Sequence, residues 1–456
     1  MLAGKLSQLV RQALGILEVK RGEAKPMMMT FIRHKITEFH VDEAGSRWQA
    51  TDVPFEKIDM SSFIFDLVQK EIVILPIFKE LTETIVKDYP DVFQSISPDV
   101  NKKGQAEFWL GNFVRRVLNE KLEDRLTEPH LAEFITIFEN ELNRSALECS
   151  LTSYVSGLYL KTDSILLDEN TVIRKLKASD LEYEYYAFTP LLASRFEMRH
   201  PSAAIEIKMR VKDESELTKK LEKTLLILRL FRLGSIRPLR NDNTKLSVIW
   251  PFGTGSSWSD SGFTELRNYV VQDNEIDDFK KFFKTLFPII QSEKPEESAG
   301  LSIAITRYNN ALLDQVDIER KLMTSMMALE SLYSMPSDKG EIGYRISLRV
   351  AKLLSFLGFK PTEVRKNVEK SYYVRSRVAH GLVVDVKKVG NVSDLLNTLL
   401  EYLRLSLVMF IFPGSPQKNR FVASVDSSLV DMMSSMEIKN QLVKIAEQIP
   451  NFPISG

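Results

Sequence analysis

The amino-acid sequence predicts a multi-domain α+β chain: a mostly helical N-terminal region, a mixed β/helical middle domain, and an all-α helical bundle towards the C-terminus. Three observations carry this. The 456 residues exceed what one hydrophobic core usually organises. The stretch "AAIEIKMRV" alternates strictly, with Ile205, Ile207, Met209 and Val211 on one face and Glu206, Lys208 and Arg210 on the other, as a half-buried strand requires. Beyond residue 300, apolar residues recur at helical spacing between short polar or glycine-containing connectors.

Composition narrows the class. Hydrophobic residues make up 44% and charged residues 27%, which is ordinary for a globular protein. Lys+Arg and Asp+Glu both number 61, and a balanced total neither requires nor forbids a polyanionic partner, because it hides any local basic patch. One cysteine, Cys149, rules out an intramolecular disulfide framework and a cysteine-rich zinc site, so a reducing cytoplasm is the expected location. The start, "MLAGKLSQLVRQALGILEVKRGEAK", lacks the continuous apolar core of a secretory signal. "LLNTLLEYLRLSLVMFIF" is interrupted by Glu401 and Arg404 and reads as a buried bundle helix, so no membrane association is expected.

Residues 1–150 contain helical segments such as "AEFWLGNFVRRVLNEKLEDRL" and "PHLAEFITIFENELN", the latter with Pro129 suited to a first helical turn. "EIVILPIFKEL", with its internal Pro76, stays open between helix and strand. In the middle domain, 151–291, "YVSGLYLKTDSILLDENTVIRKL" reads as short strands joined by turns. A helix is expected from Asp213, with Glu216 reaching back to its start, through to Gly234. "PFGTGSSWSDSG" reads as a loop and "SEKPEESAG", residues 292–300, as a linker. The bundle, 301–412, is expected to hold helices over 301–334, 340–358, 361–380 and 391–412. A polar connector, "PGSPQKNRF", and a final helix near 427–448 make up residues 413–456.

Within the bundle, "KSYYVRSRVAHG" sets four residues between Arg375 and His380. Spacing alone decides nothing, because four of the five histidines lie five or seven positions after an arginine: Arg33/His40, Arg125/His130, Arg195/His200 and Arg375/His380. Context separates them. Arg125 and His130 straddle Pro129 and so belong to different elements, Arg195 and His200 fall in an expected loop, and no helix end or basic cluster accompanies Arg33 and His40. His380 precedes Gly381, the residue type that ends helices in the left-handed conformation. Five helical steps put Arg375 and His380 about 140° apart. Either the last turn loosens or two copies of the pair meet.

Residues 306–381 resemble the Apea-like branch of the HEPN superfamily. The resemblance rests on three ordered stretches, "TRYNNALLDQVDIERKLMTSMMALESLYS", "EIGYRISLRVAKLLSFLGF" and "SYYVRSRVAHG". It covers about 110 residues with the following helix, and the β-containing region before it is similar, more weakly, to the family's N-terminal extension. The resemblance implies a HEPN-like helical bundle and a metal-independent endoribonuclease, often a toxin or anti-phage defence effector of the abortive-infection type. It implies a homodimer in which the motif arginine and histidine of two chains, here Arg375 and His380, line one cleft. Glu330, in "ALESLY", takes the place of the family's supporting acid, Ser376 follows the motif arginine, and Arg377 occupies the middle of the motif. RNA is the implied substrate, no metal or cofactor is required, and a regulatory partner or phage-derived trigger is expected to act through the other regions.

The residue types suit that chemistry. RNA cleavage needs a proton taken from the 2′-hydroxyl and one given to the leaving oxygen, and imidazole does either near neutral pH. A guanidinium clamps phosphate oxygens and offsets charge that builds in the transition state. Lys370 and Arg377 supply a basic rim, while Tyr372 and Tyr373 fit either base stacking or helix packing. The same residues also fit a structural reading, with Arg375 in an ion pair to Glu330 and His380 favouring the helix dipole. Some HEPN proteins bind nucleotides or proteins without cutting RNA, so a dimerisation or binding module is the alternative. No Gly-x4-Gly-Lys-Ser/Thr, His-Glu-x2-His or Gly-x-Ser-x-Gly motif occurs, and "GSSWSDSG" lacks the Asp-x-Asp of a fused nucleotidyltransferase. The methionine groups "MMMT" and "MTSMM" have no accompanying metal-ligand set, and the second fits core packing on a helix.

Overall fold

The computed structural model describes residues 2–24, 27–42, 45–93, 101–143, 147–186, 201–211, 215–245, 254–258, 269–292, 299–314, 316–412 and 418–448. The chain is mixed α+β. It opens with α1 (Leu2–Lys20), followed by β1 (Met27–Asp42) and β2 (Gly45–Asp59), a long antiparallel hairpin with a register shift between Ile36 and Glu38. The helices α2 (Ser61–Leu67), α3 (Pro76–Asp88), α4 (Lys102–Leu122) and α5 (Glu128–Leu142) complete the N-terminal region. "EIVILPIFKEL" resolves as a helical turn over Val68–Ile72 and then α3, which begins at Pro76, where a missing N–H costs nothing. Thr127 caps α5 by accepting from the His130 N–H. Leu6, Leu9, Phe78, Leu110, Phe113 and Phe138 lie in one core shared by α1, α3, α4 and α5.

The hairpin is what the sequence reading left out of this mostly helical region. Its inner strand β1 also pairs with β7 (Tyr183–Tyr186) of the middle region, giving a three-stranded sheet in the order β2-β1-β7. Ile36 packs with Tyr154, Leu176, Leu181 and Ala204, so the hairpin lies against the middle region rather than in the helical core.

The middle region is built from β3 (Leu147–Ser156), β4 (Leu158–Leu160), β5 (Ser164–Asp168), β6 (Thr171–Lys175), β8 (Ala203–Val211), β9 (Arg237–Lys245), β10 (Thr254–Trp258) and β11 (Tyr269–Val271). Six strands form an antiparallel sheet in the order β10-β9-β3-β8-β6-β5, and β4 pairs in parallel with β11. The alternating strand forms as read, with Ile205, Ile207 and Val211 buried and Lys208 and Arg210 exposed. Cys149 is buried on β3. Two expectations change here. Residues 254–258 of the expected glycine-serine loop are an edge strand on β9, because backbone pairing makes no demand on side-chain type. The helix after β8, α6 (Ser215–Phe231), ends three residues before Gly234, and Asp213 lies outside the described residues.

Next come α7 (Ile276–Ser292), α8 (Ala299–Leu313), α9 (Ile318–Tyr333), α10 (Ile342–Ser355), α11 (Pro361–Ala379), the single turn α12 (Val386–Val389), α13 (Val392–Ile411), α14 (Lys418–Ser428) and α15 (Met432–Gln448). The expected helix over 301–334 is two helices: Asp317 accepts from the Arg320 N–H and starts α9 afresh. The connector after Phe412 is shorter than read, since α14 begins at Lys418 and a second helix follows from Met432. Most of the linker at 292–300 falls outside the described residues.

The buried apolar residues of the middle sheet, α6 and α7 are continuous with those of the bundle, from Cys149 to Ile445. A polar seam fixes the junction. Arg229 on α6, pushed down to about 10 by burial, donates to the Ile236 carbonyl and, at 2.9 Å, to Asn309 on α8. Arg404 on α13, paired with Glu401, donates to the Leu230 and Phe231 carbonyls at the end of α6. The C-terminal helices are tied in by Arg349 on α10. Its fully buried guanidinium donates to both oxygens of Asp338, both oxygens of Asp426 on α14, and the Tyr333 carbonyl, at 2.6–2.9 Å.

Candidate functional site

The motif helix α11 packs against α9, α10 and α13. Pro361 opens it, Glu363 occupies its first turn, and Val364, Val368, Ser371 and Val374 form its buried stripe at helical spacing. That stripe fixes the rotation of the helix. Arg375, next to Val374, is therefore turned half-buried towards α9, where it meets Glu330.

The pair is close but imperfect. Arg375 Nε stands 3.1 Å from Glu330 Oε1, and Nη2 donates to Oε2 at 3.3 Å. The first contact is poorly aligned, so neither atom is satisfied as a hydrogen bond there. Burial pushes the Glu330 carboxyl above the ordinary glutamate range, against the pull of Arg375 and then of Arg307. Arg307 on α8 donates to the Met327 carbonyl at 2.9 Å and so adds a positive charge beside the pair. Sequence reasoning assigned Arg307 no role, and no local signal marks it, because its closeness to Glu330 arises only when α8 folds back on α9.

At the other end of the motif, the helix stops as the glycine requires. Gly381 has φ of +66°, the Leu382 N–H bonds to the Arg377 carbonyl at 2.8 Å, and the Gly381 N–H bonds to the Val378 carbonyl at 3.0 Å. This double closure is the Schellman motif. The His380 N–H is shared between the Ser376 and Arg377 carbonyls, both at 3.2 Å, so the last turn tightens rather than loosens. Tightening widens the angle between Arg375 and His380 beyond about 140°. The imidazole of His380 is exposed and makes no hydrogen bond among the described residues.

The remaining residues expected at the site are placed as follows. Ser376 is half-buried and contributes its carbonyl to the His380 turn. Arg377 donates from Nε to the Val383 carbonyl at 2.9 Å, and Lys370 donates to the Val389 carbonyl at 2.9 Å. Both therefore hold the segment that folds back after Gly381, beside Lys387 and Lys388. Tyr372 and Tyr373 are half-buried against the core, with the Arg375 guanidinium 5.7 Å from the Tyr372 ring centre and the Lys388 ammonium 5.6 Å from that of Tyr373.

The other arginine-histidine spacings build nothing comparable. Arg33 lies over the Phe55 ring on the hairpin at 4.9 Å and His40 is exposed. Arg125 and His130 do fall on different elements, with His130 Nδ1 at 3.1 Å from the Arg125 carbonyl. Arg195 and His200 lie outside the described residues. Among the described residues, no group of three or more His, Cys, Asp or Glu side chains could hold a metal ion, and no helix is long and apolar enough to cross a membrane.

The arrangement offers a fixed cation, a carboxylate that orients it, and a solvent-facing imidazole about 7.5 Å further along the same helix axis. No protein-family model, curated protein or solved structure matches the chain.

Proposed function

We propose that this chain is a metal-independent endoribonuclease of HEPN type, acting as a homodimer in which Arg375 and His380 of two copies share one cleft. The observation that carries this reading is the pairing of Glu330 with Arg375 on a helix that ends, one turn later, in the exposed His380. A wide angle between the two motif residues within one chain favours a cleft completed by a second copy.

In such a cleft one imidazole takes the 2′-hydroxyl proton as the 2′-oxygen attacks phosphorus. The bond from phosphorus to the 5′-oxygen breaks, and the second imidazole, protonated, gives its proton to that oxygen. The products are a 2′,3′-cyclic phosphate and a 5′-hydroxyl end. Arg375 binds the non-bridging oxygens, and Glu330 keeps its guanidinium from swinging into solvent. The N-terminal and middle regions, including the hairpin, would then sense a regulatory partner or phage-derived trigger, making the chain a toxin or defence effector.

The parent protein should cleave single-stranded RNA in the presence of EDTA and leave the same sequence in DNA intact, since DNA lacks the attacking hydroxyl. His380→Ala should lose at least about 100-fold in rate, the usual scale of general acid-base catalysis. Cutting by His380→Ala at the parent rate would refute the assignment. A second reading, a non-catalytic dimerisation or nucleotide-binding module, draws on the anchoring of Lys370 and Arg377 in local structure. It predicts a dimer that binds RNA or protein and leaves RNA intact.

A further inference from the structure

We propose that the groove beside the Arg375 ion pair is a nucleobase subsite that selects guanine, a proposal that rests on the ribonuclease reading and adds substrate preference to it. The groove is about 760 Å³, within the range of small-ligand sites, and Gly340, Glu341, Gly343, Tyr344, Glu369 and Tyr372 line it.

It is coupled to the motif through one ring. Tyr372 forms part of the groove wall and also carries the Arg375 guanidinium 5.7 Å from its centre. That ring lies so close to α10 that a Cβ at Gly343 would sit 2.6 Å from its Cδ1, so only glycine at position 343 lets the wall form. Tyr344, at the lip, is 46% exposed, so part of its side chain is open to solvent. The Arg365 guanidinium stands 4.9 Å from its ring centre and pairs with Glu369 at 2.8 Å, which holds that carboxylate beside the groove.

Exposed aromatic rings flanked by guanidinium groups are the usual platform for an unpaired base. The polar lining sets which base. Glu341 and Glu369 are its acidic lining residues, and an ionised carboxylate accepts hydrogen bonds and donates none. Guanine alone among the RNA bases carries two neighbouring N–H donors on its Watson–Crick edge. Adenine and cytosine place a ring nitrogen acceptor beside the amino group, and uracil flanks its single N–H with two carbonyls.

The test uses fluorescently labelled RNA trinucleotides carrying 2′-O-methyl groups, which cannot be cut, identical except for the middle base. Guanine should bind the parent about tenfold more tightly than adenine, cytosine or uracil, the scale of one two-point base contact. Tyr344→Ala should weaken all four, and Glu341→Gln or Glu369→Gln should erase the preference for guanine. Equal affinity for the four bases, no binding, or a preference unchanged in both glutamine variants would overturn the subsite. Sequencing the ends cut from random RNA separates the two proposals. Cleavage with no guanine enriched at a fixed position removes the subsite and leaves the nuclease standing. Selective binding of the guanine trinucleotide by a chain that cuts no RNA keeps the subsite and removes the nuclease.

Discussion

Two arginines of the same bundle meet carboxylates in opposite ways. Arg349 is fully buried, and its Nε and both terminal nitrogens are engaged at 2.6–2.9 Å by Asp338, Asp426 and a carbonyl. Arg375 keeps 29% of its side chain exposed and reaches Glu330 through one hydrogen bond of 3.3 Å and one misaligned contact. The carboxyls respond oppositely. Hydrogen bonds from Arg349 hold Asp338 below the ordinary aspartate range, whereas burial pushes Glu330 above the glutamate range despite its partner. A saturated guanidinium has nothing left to offer a ligand, while an under-coordinated one beside open solvent does. The first geometry joins helices, and the second is what an anion site requires.

The largest effect that tests this contrast is on stability. Arg349→Ala strands Asp338 and Asp426 and should cost about 3–5 kcal/mol, the loss typical of breaking a buried pair on one side. Urea unfolding followed by circular dichroism measures it. Asp338 lends its stability above its unfolded pKa and surrenders it as pH falls through its folded value, so the deficit should shrink in acid. A loss under about 1 kcal/mol would erase the distinction between the two arginines.

Arg375→Ala should behave inversely. Partly exposed ion pairs contribute at most about 1 kcal/mol, so unfolding should change little. RNA cleavage should fall by about 100-fold or more, as when one charge-stabilising donor is removed. An unfolding loss equal to that of Arg349→Ala, with cleavage intact, would make Arg375 a second structural staple.

The smallest effect concerns Glu330→Gln. Its raised folded pKa means the parent binds a proton more tightly when folded, so the parent loses stability as pH rises from the ordinary glutamate value through the folded one. The glutamine variant lacks this loss. The unfolding free energy of the parent minus that of the variant should therefore decline across that window. A difference that rises with pH would mean that Arg375, not burial, governs Glu330.

How much was legible in the sequence follows from contrast between faces. "AAIEIKMRV" could be read because β8 buries one face and exposes the other. The hairpin at 27–59 could not, because most of its length pairs only with itself and buries little: on β1 only His34 and Ile36 are buried among the residues whose side chains are described. The break between α8 and α9 carries neither glycine nor proline, and the capping Asp317 was its only local mark. Glycine and serine at 254–258 gave a composition of loop type, yet the edge of β9 took those residues as a strand.

The sequence by itself determined the periodicities, the glycine stop after His380 and the set of ionisable groups on each helix, since these are local properties of neighbouring residues. Only the tertiary structure decided that Glu330 faces Arg375 across 45 residues, that Arg307 joins them, and that Gly343 admits the Tyr372 ring. Each of these depends on the rotation and depth of one helix against another, which apolar stripes and backbone approach fix only when the whole core is assembled.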